Sequence, residues 1–147
     1  MFVKEIMARK GSDVKRVGPD QSLEVAAALM RLERIGALVV SGAEDRLLGL
    51  VSEKDVVRAV VDYGPGALKR PVSEFMNDHP VTCGSEDSVA KVARMMTLHR
   101  ARHLPVLVDG RIAGVISIGD IVRDRLEEVE LERDTLRDLA LSHRLAG

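Results

Sequence analysis

The sequence predicts an α+β fold: two copies of one small helix, strand, strand, helix unit, paired by pseudo-two-fold symmetry, with an amphipathic helix at the C-terminal end. Three observations carry that prediction. The chain aligns with itself at a spacing of about 65 residues, and a repeat of that size decides architecture before any single residue does. Within each copy, apolar residues fall at the i, i+3, i+4, i+7 spacing of a helix that buries one face. Two short β-branched runs separated by turn residues follow each of those helices.

The elements follow in order. A short helical signal opens each copy, at Val3, Ile6 and Met7 in one and at Val72, Phe75 and Met76 in the other. Residues 17–22 then align with 83–88 as an extended lead-in, and Ser22 and Ser88 stand where helix N-caps belong. Leu23, Ala26, Ala27 and Met30 mark the buried face of the first helix, and Val89, Val92, Ala93 and Met96 mark that of its counterpart. Strands are predicted over 37–40 and 47–51, and over 104–108 and 112–116. Asp109 and Gly110 between the latter pair give a hairpin signal, because that turn needs positive φ. After a one-residue deletion in the hairpin, residues 46–58 align with 111–123, and a second helix starts after Ser52 or Ser117. Tyr63, Gly64, Pro65 and Gly66 read as the linker. These boundaries divide the chain into units over 1–65 and 66–125, with an extension over 126–147. In that extension Leu126, Val129, Leu136 and Ala140 mark an amphipathic helix, interrupted at Arg133, that docks on the module or on a second subunit.

Composition excludes several classes of function. A net charge of −1 with both signs interspersed creates no field that would draw in nucleic acid or a membrane surface. The 2% aromatic content removes the stacking platforms that single-stranded nucleic acid needs. No apolar stretch approaches the ~20 residues of a membrane span, and the N-terminus carries no export signal, so a cytoplasmic protein is expected. The single cysteine, Cys83, forms no internal disulfide and reads as an inert thiol. His79, His99 and His143 lack metal-ligand spacing, and Met30, Met95 and Met96 read as packing.

Gly49, Ser52 and Asp55 stand in the same relation as Gly114, Ser117 and Asp120, and Arg102, His103, Leu104, Pro105 and Val106 precede the second set. With the doubled order of elements, these stretches resemble CBS (cystathionine-β-synthase) domains, and the pair resembles a stand-alone Bateman module, over residues 2–125. The resemblance implies two βαββα units with clefts between their sheets, regulatory and not catalytic. It implies an adenosine-containing ligand: AMP, ADP, ATP, NAD(H) or S-adenosylmethionine. By position, Asp55 with Ser52 and Asp120 with Ser117 would hold ribose, and Arg102 and His103 would meet phosphate. Where those two basic residues stand, the first copy has Gly36 and Ala37, and Lys54 compensates. Adenine would lie among Val17, Ala37, Val81, Thr82 and Leu104. Asp120 with Arg102 is expected to form the stronger of two unequal clefts. The family's habit of pairing through helical faces implies a homodimer, and the regulated protein is a separate chain.

The chemistry of these residues fits those roles independently. A carboxylate accepts two hydrogen bonds from a vicinal diol, a helix N-terminus favours anions, and an arginine fork suits phosphate oxygens. The same Ser-x-x-Asp spacing also makes a purely structural helix cap. Two alternatives therefore stand beside nucleotide sensing: a module with degenerate clefts whose helices recruit a partner, and an enzyme or an accessory chain of one, against which the absence of any added catalytic domain argues.

Overall fold

The computed structural model describes residues 1–11 and 13–146 of the chain. The first repeat comprises β1 (Arg16–Val17), α2 (Leu23–Glu33), β2 (Ala37–Ser41), β3 (Leu47–Ser52) and α3 (Glu53–Tyr63), with α1 (Val3–Lys10) ahead of it. The second comprises β4 (Cys83–Gly84), α4 (Val89–His99), β5 (His103–Val108), β6 (Arg111–Ser117) and α5 (Ile118–Ala146). Short-range chemistry sets the boundaries. Ser22 Oγ accepts from the Val25 amide at 3.2 Å and Ser88 Oγ from the Lys91 amide at 3.1 Å, so each helix starts where a hydroxyl satisfies a free donor. Asp109 at φ 52° and Gly110 at φ 76° close the β5–β6 hairpin in the positive-φ turn that strand twist favours.

Each repeat forms a three-stranded sheet, ordered β1-β2-β3 or β4-β5-β6, whose central strand runs parallel to the lead-in strand and antiparallel to the last. Both faces of β2 are covered, so its residues are buried without alternation. Leu38 and Val40 meet Leu23, Ala26, Met30 and Ala59 of the helices. Ala37 and Val39 turn the other way, where with Leu50 they join Ile112, Leu107 and Val115 of the second sheet. That shared cluster is the pseudo-two-fold interface.

The lead-in helices do not pack where the repeat order puts them. Val3 and Ile6 of α1 complete the core of the second unit, with Cys83, Val92, Leu104 and Ile116. Val72, with Phe75 and Met76 packed beside it, completes the core of the first. Backbone hydrogen bonds make the exchange symmetric: Val3 N–H donates to Asp87 O at 2.9 Å, and Val72 N–H to Gln21 O at 2.8 Å. The division at residue 65 therefore follows the repeat in sequence, whereas packing groups residues 67–76 with the first unit and 3–10 with the second.

The C-terminal segment corrects a second expectation. Helix α5 runs without a break through Arg133, continuing the helix that opens after Ser117. A charged residue interrupts an apolar stripe without interrupting backbone hydrogen bonding, and helix propensity of arginine is high.

The exchange explains Gly49 and Gly114. A Cβ on Gly49 would lie 2.7 Å from Met76 Sδ and 2.8 Å from the Asn77 carbonyl oxygen, and one on Gly114 would lie 1.9 Å from Met7 Cε. The first clash involves backbone that is itself paired to Leu50; the second involves the mobile end of a methionine. Gly49→Ala should therefore destabilise by about 1–3 kcal/mol, and Gly114→Ala by about 1 kcal/mol or less, read from urea unfolding midpoints. Equal losses would contradict this account.

Candidate functional site

Each candidate carboxylate is held by the helix it opens. Asp55 N–H donates to Ser52 Oγ at 3.4 Å, while Asp55 Oδ2 accepts from the Ser52 amide at 2.9 Å and the Ser52 hydroxyl at 3.1 Å. Ser117 and Asp120 repeat the pattern at 3.2, 2.8 and 3.0 Å. The capping reading of Ser-x-x-Asp is thus realised in both copies. It uses one carboxylate oxygen of each pair and leaves Oδ1 of each without a hydrogen bond among the described residues.

The two carboxylates lie in separate clefts, each built from both repeats. The Asp120 cleft, about 430 Å³, combines Ser117, Asp120 and Arg123 with Val14, Lys15, Gly36 and Ala37. The Asp55 cleft, about 460 Å³, combines Ser52, Lys54, Asp55 and Arg58 with Pro80, Val81, Arg100 and Arg102. The pairing of Asp120 with Arg102 therefore does not occur. Arg102 joins Asp55, because each lead-in and first strand faces the last strand of the opposite repeat. Lys54 and Arg102, read as one cation for each copy, line the same cleft.

His103 lines both clefts, and an added Cβ on Gly36 would lie 3.0 Å from its ring. Burial, reinforced by Lys10 and Arg102, pushes its imidazole below its ordinary range, so it is neutral near pH 7 and offers phosphate an N–H but no charge. The apolar residues divide. Ala37 lines the Asp120 cleft and Val81 the Asp55 cleft. Val17 and Leu104 are instead core residues of their own units, and Thr82 lies outside the lining of both clefts. Strand alternation accounts for this: Val17 turns toward the helices, and Val14, three residues earlier, meets the inter-sheet cluster and the cleft.

Electrostatics separate the clefts further. Lys10 Nζ donates to Asp120 Oδ2 at 2.8 Å and to the Val115 carbonyl at 2.7 Å. Burial raises the affinity of Asp120 for a proton, but the Lys10 ammonium and the Ser117 donors outweigh it and hold the carboxyl below the usual range. In the same cleft Lys15 pairs with Asp13 at 2.6 Å. In the Asp55 cleft Lys54, Arg100 and Arg102 have no carboxylate partner among the described residues and Arg58 stands 3.9 Å from Asp55 Oδ1, whereas in the Asp120 cleft Arg34 and Arg123 are without one.

Several lining residues carry no signal in the sequence. Lys10 arrives from α1 only because that helix crosses to the other unit. Arg34 and Arg100 end α2 and α4 in left-handed conformations, φ 55° and 51°, where glycine is the usual choice. Each lines a cleft, an instance of backbone strain beside a candidate site. His99, assigned no role from its spacing, lines the Asp55 cleft. Cys83 is remote from both: it is buried in the second core, and desolvation pushes its thiol up to about 12. Among the described residues no group of His, Cys, Asp and Glu side chains could hold a metal ion, and no helix is long and apolar enough to cross a membrane.

Known proteins share this architecture. The model of the CBS domain matches residues 3–62 and 72–127. The mitochondrial CBS domain-containing protein CBSX3 of Arabidopsis thaliana is 32% identical over 120 residues, which cover 78% of this chain and 58% of that protein, so the chain spans little more than half of that relative. A crystal structure of a CBS-domain-containing protein from Agrobacterium tumefaciens superposes with a TM-score of 0.82 at 42% identity, covering 85% of this chain and 99% of that one. A CBS domain pair solved with 5′-methylthioadenosine and S-adenosyl-L-methionine shares the fold at a TM-score of 0.75 and 22% identity, over 84% of this chain and 98% of that one. Two matched stretches that together span most of the residues, in the fold these structures share, show that the chain belongs to the CBS-domain family as a tandem pair.

Proposed function

We propose that this chain is a regulatory, non-catalytic sensor of adenosine-containing ligands, and that its Asp55 cleft takes the phosphorylated ones: AMP, ADP, ATP or NAD(H). One observation carries the reading. A carboxylate with a free oxygen, at the opening of α3, shares a cleft with Lys54, Arg100 and Arg102, which have no acid partners among the described residues. A ribose diol donates to Asp55 Oδ1, phosphates meet the three cations, and adenine lies against Pro80 and Val81. The Asp120 cleft sets Asp13, Glu33 and Asp120 against Lys10, Lys15, Arg34 and Arg123, with both lysines already paired, whereas the Asp55 cleft sets Glu53 and Asp55 against its four cations. The less positive Asp120 cleft favours a ligand with fewer negative charges, such as S-adenosylmethionine.

Because the lining comes from both repeats, a ligand there has different affinity for different inter-unit geometries, which is the condition for shifting them. The output is read by a separate cytoplasmic protein, and the signalling unit is a homodimer formed through the helical faces. The tandem CBS match, and a CBS pair of the same fold solved with 5′-methylthioadenosine and S-adenosyl-L-methionine, support this reading.

Thermal unfolding with ATP, adenosine, S-adenosylmethionine and GTP tests it. ATP at 100 times its dissociation constant should add about 2.7 kcal/mol, a rise of roughly 5–10 °C for a chain of this size. Asp55→Asn, which keeps an acceptor for the cap, should abolish the ATP shift, while Asp120→Asn should preserve it. No shift with any adenine compound would make Ser-x-x-Asp a cap alone and leave an interaction module.

Two arginine variants test the charge argument. Arg102→Ala should weaken ATP about tenfold or more, since a charge-assisted bond contributes about 1.5–3 kcal/mol, and should leave adenosine within about twofold. Arg100→Gly should leave ligand-free stability unchanged or raise it by up to about 1 kcal/mol, by relieving the left-handed conformation, yet weaken ATP in titration calorimetry. Equal weakening of ATP and adenosine by Arg102→Ala would contradict a phosphate role.

A further inference from the structure

We propose that the projecting part of α5 pairs with the same helix of a second copy as a parallel two-stranded coiled coil. The inference extends the homodimer reading and does not rest on nucleotide binding. From Val129 to Leu145 every residue of α5 is exposed, so this stretch stands clear of the body for about 25 Å. A lone helix of this length is marginal in water, yet this one carries exposed Val129, Leu131, Leu136, Leu139, Leu141 and Leu145, of which Val129 and Leu136 fall on one seam.

Its apolar pattern selects the kind of partner. Val122, Leu126, Val129, Leu136 and Ala140, with Arg133 and His143 filling the remaining steps, follow a strict alternation of four and three residues. That is the heptad seam of a coiled coil. The seam begins on the body of the protein, where Val122 and Leu126 are 53% and 57% exposed. Their repeat counterparts Val57 and Val61 on α3 are exposed too, so the seam continues an apolar face that both repeats present.

Flanking charges select the second copy and its direction. In a parallel homodimer Arg125 faces Glu130 of the second copy and Glu132 faces Arg137 of the second copy, each pair occurring twice. An antiparallel pairing that sets Glu132 against Glu132 also sets Glu130 against Glu130 and Arg123 against Arg137, and the other antiparallel register, which layers Arg133 on Leu136, offsets its Glu130–Arg137 pairs with Arg123 against Arg144. Arg133 occupies one seam layer beside Glu132 of the second copy. A single polar layer of that kind fixes register at a cost in stability. Arg125 is held in the single chain by Glu128 at 3.1 Å, an exposed pair that exchanges readily.

Sedimentation and single-cysteine crosslinking of the full chain test the proposal. Cys83, the one native cysteine, is buried and stays out of the reaction. Leu136→Cys places a thiol in the seam, and Leu131→Cys places one on the opposite face. The proposal predicts a dimer in which mild oxidation links Leu136→Cys at least tenfold faster than Leu131→Cys. In the antiparallel register that sets Glu132 against Glu132 the two seam thiols would stand roughly 15 Å apart, beyond disulfide reach. A dimer in which Leu136→Cys links no faster than Leu131→Cys overturns the coiled coil and leaves the dimer through helical faces standing. A monomer overturns both, and the ATP shift, measured separately, is unaffected by either result.

Discussion

The reciprocal exchange of lead-in segments is the constraint on which the rest depends. Each core is sealed by the short helix that precedes the other copy, Val3 and Ile6 in one case and Val72 in the other. Neither repeat has a complete core by itself, so the two fold as one body although the chain is a duplication. The exchange also sets the close approaches over Gly49 and Gly114, and it carries Lys10 to Asp120. With the shared cluster between the sheets, it determines that every cleft between the units has walls from both.

On the proposed function, that arrangement turns a structural device into a sensing one. A helix cap needs one carboxylate oxygen, and Asp55 and Asp120 each spend Oδ2 on it. The remaining oxygen points the chemistry of the same residue at a ligand without loss to the fold. Duplication produced two such positions, and divergence around them made them unlike. Arg102 and Lys54 place unpaired cations in one cleft, while Lys10 and Lys15 enter the other already neutralised beside Arg34 and Arg123. The two clefts are close in volume and differ in the balance of acids and cations that line them.

Much of this was legible in the sequence because it is local or repeated. Periodicity located the helices, Ser22 and Ser88 their starts, Asp109 with Gly110 a hairpin, and the doubled motifs the family. What was not legible is what depends on which copy faces which. The pairing of Arg102 with Asp55, the arrival of Lys10 and the crossing of α1 are consequences of exchange, and a linear alignment treats each copy as self-contained. Leu104 was misplaced for a related reason, since an apolar residue in a strand buried on both faces gives no sign of which face it takes, and Val17 sits in a strand of two residues, too short for alternation to mark its face. Arg34 and Arg100 at left-handed helix ends break the glycine rule, and such departures are common where a side chain is wanted at a site.

The central claim, that a phosphorylated adenosine ligand sits between the repeats at Asp55, is tested most directly by photolabelling with 8-azido-ATP and mapping the modified peptides. The account predicts label in the stretch around Pro80 and Val81, suppressed by excess ATP and absent from Asp55→Asn. Label confined to residues 13–37, or label that excess ATP does not displace, would contradict it.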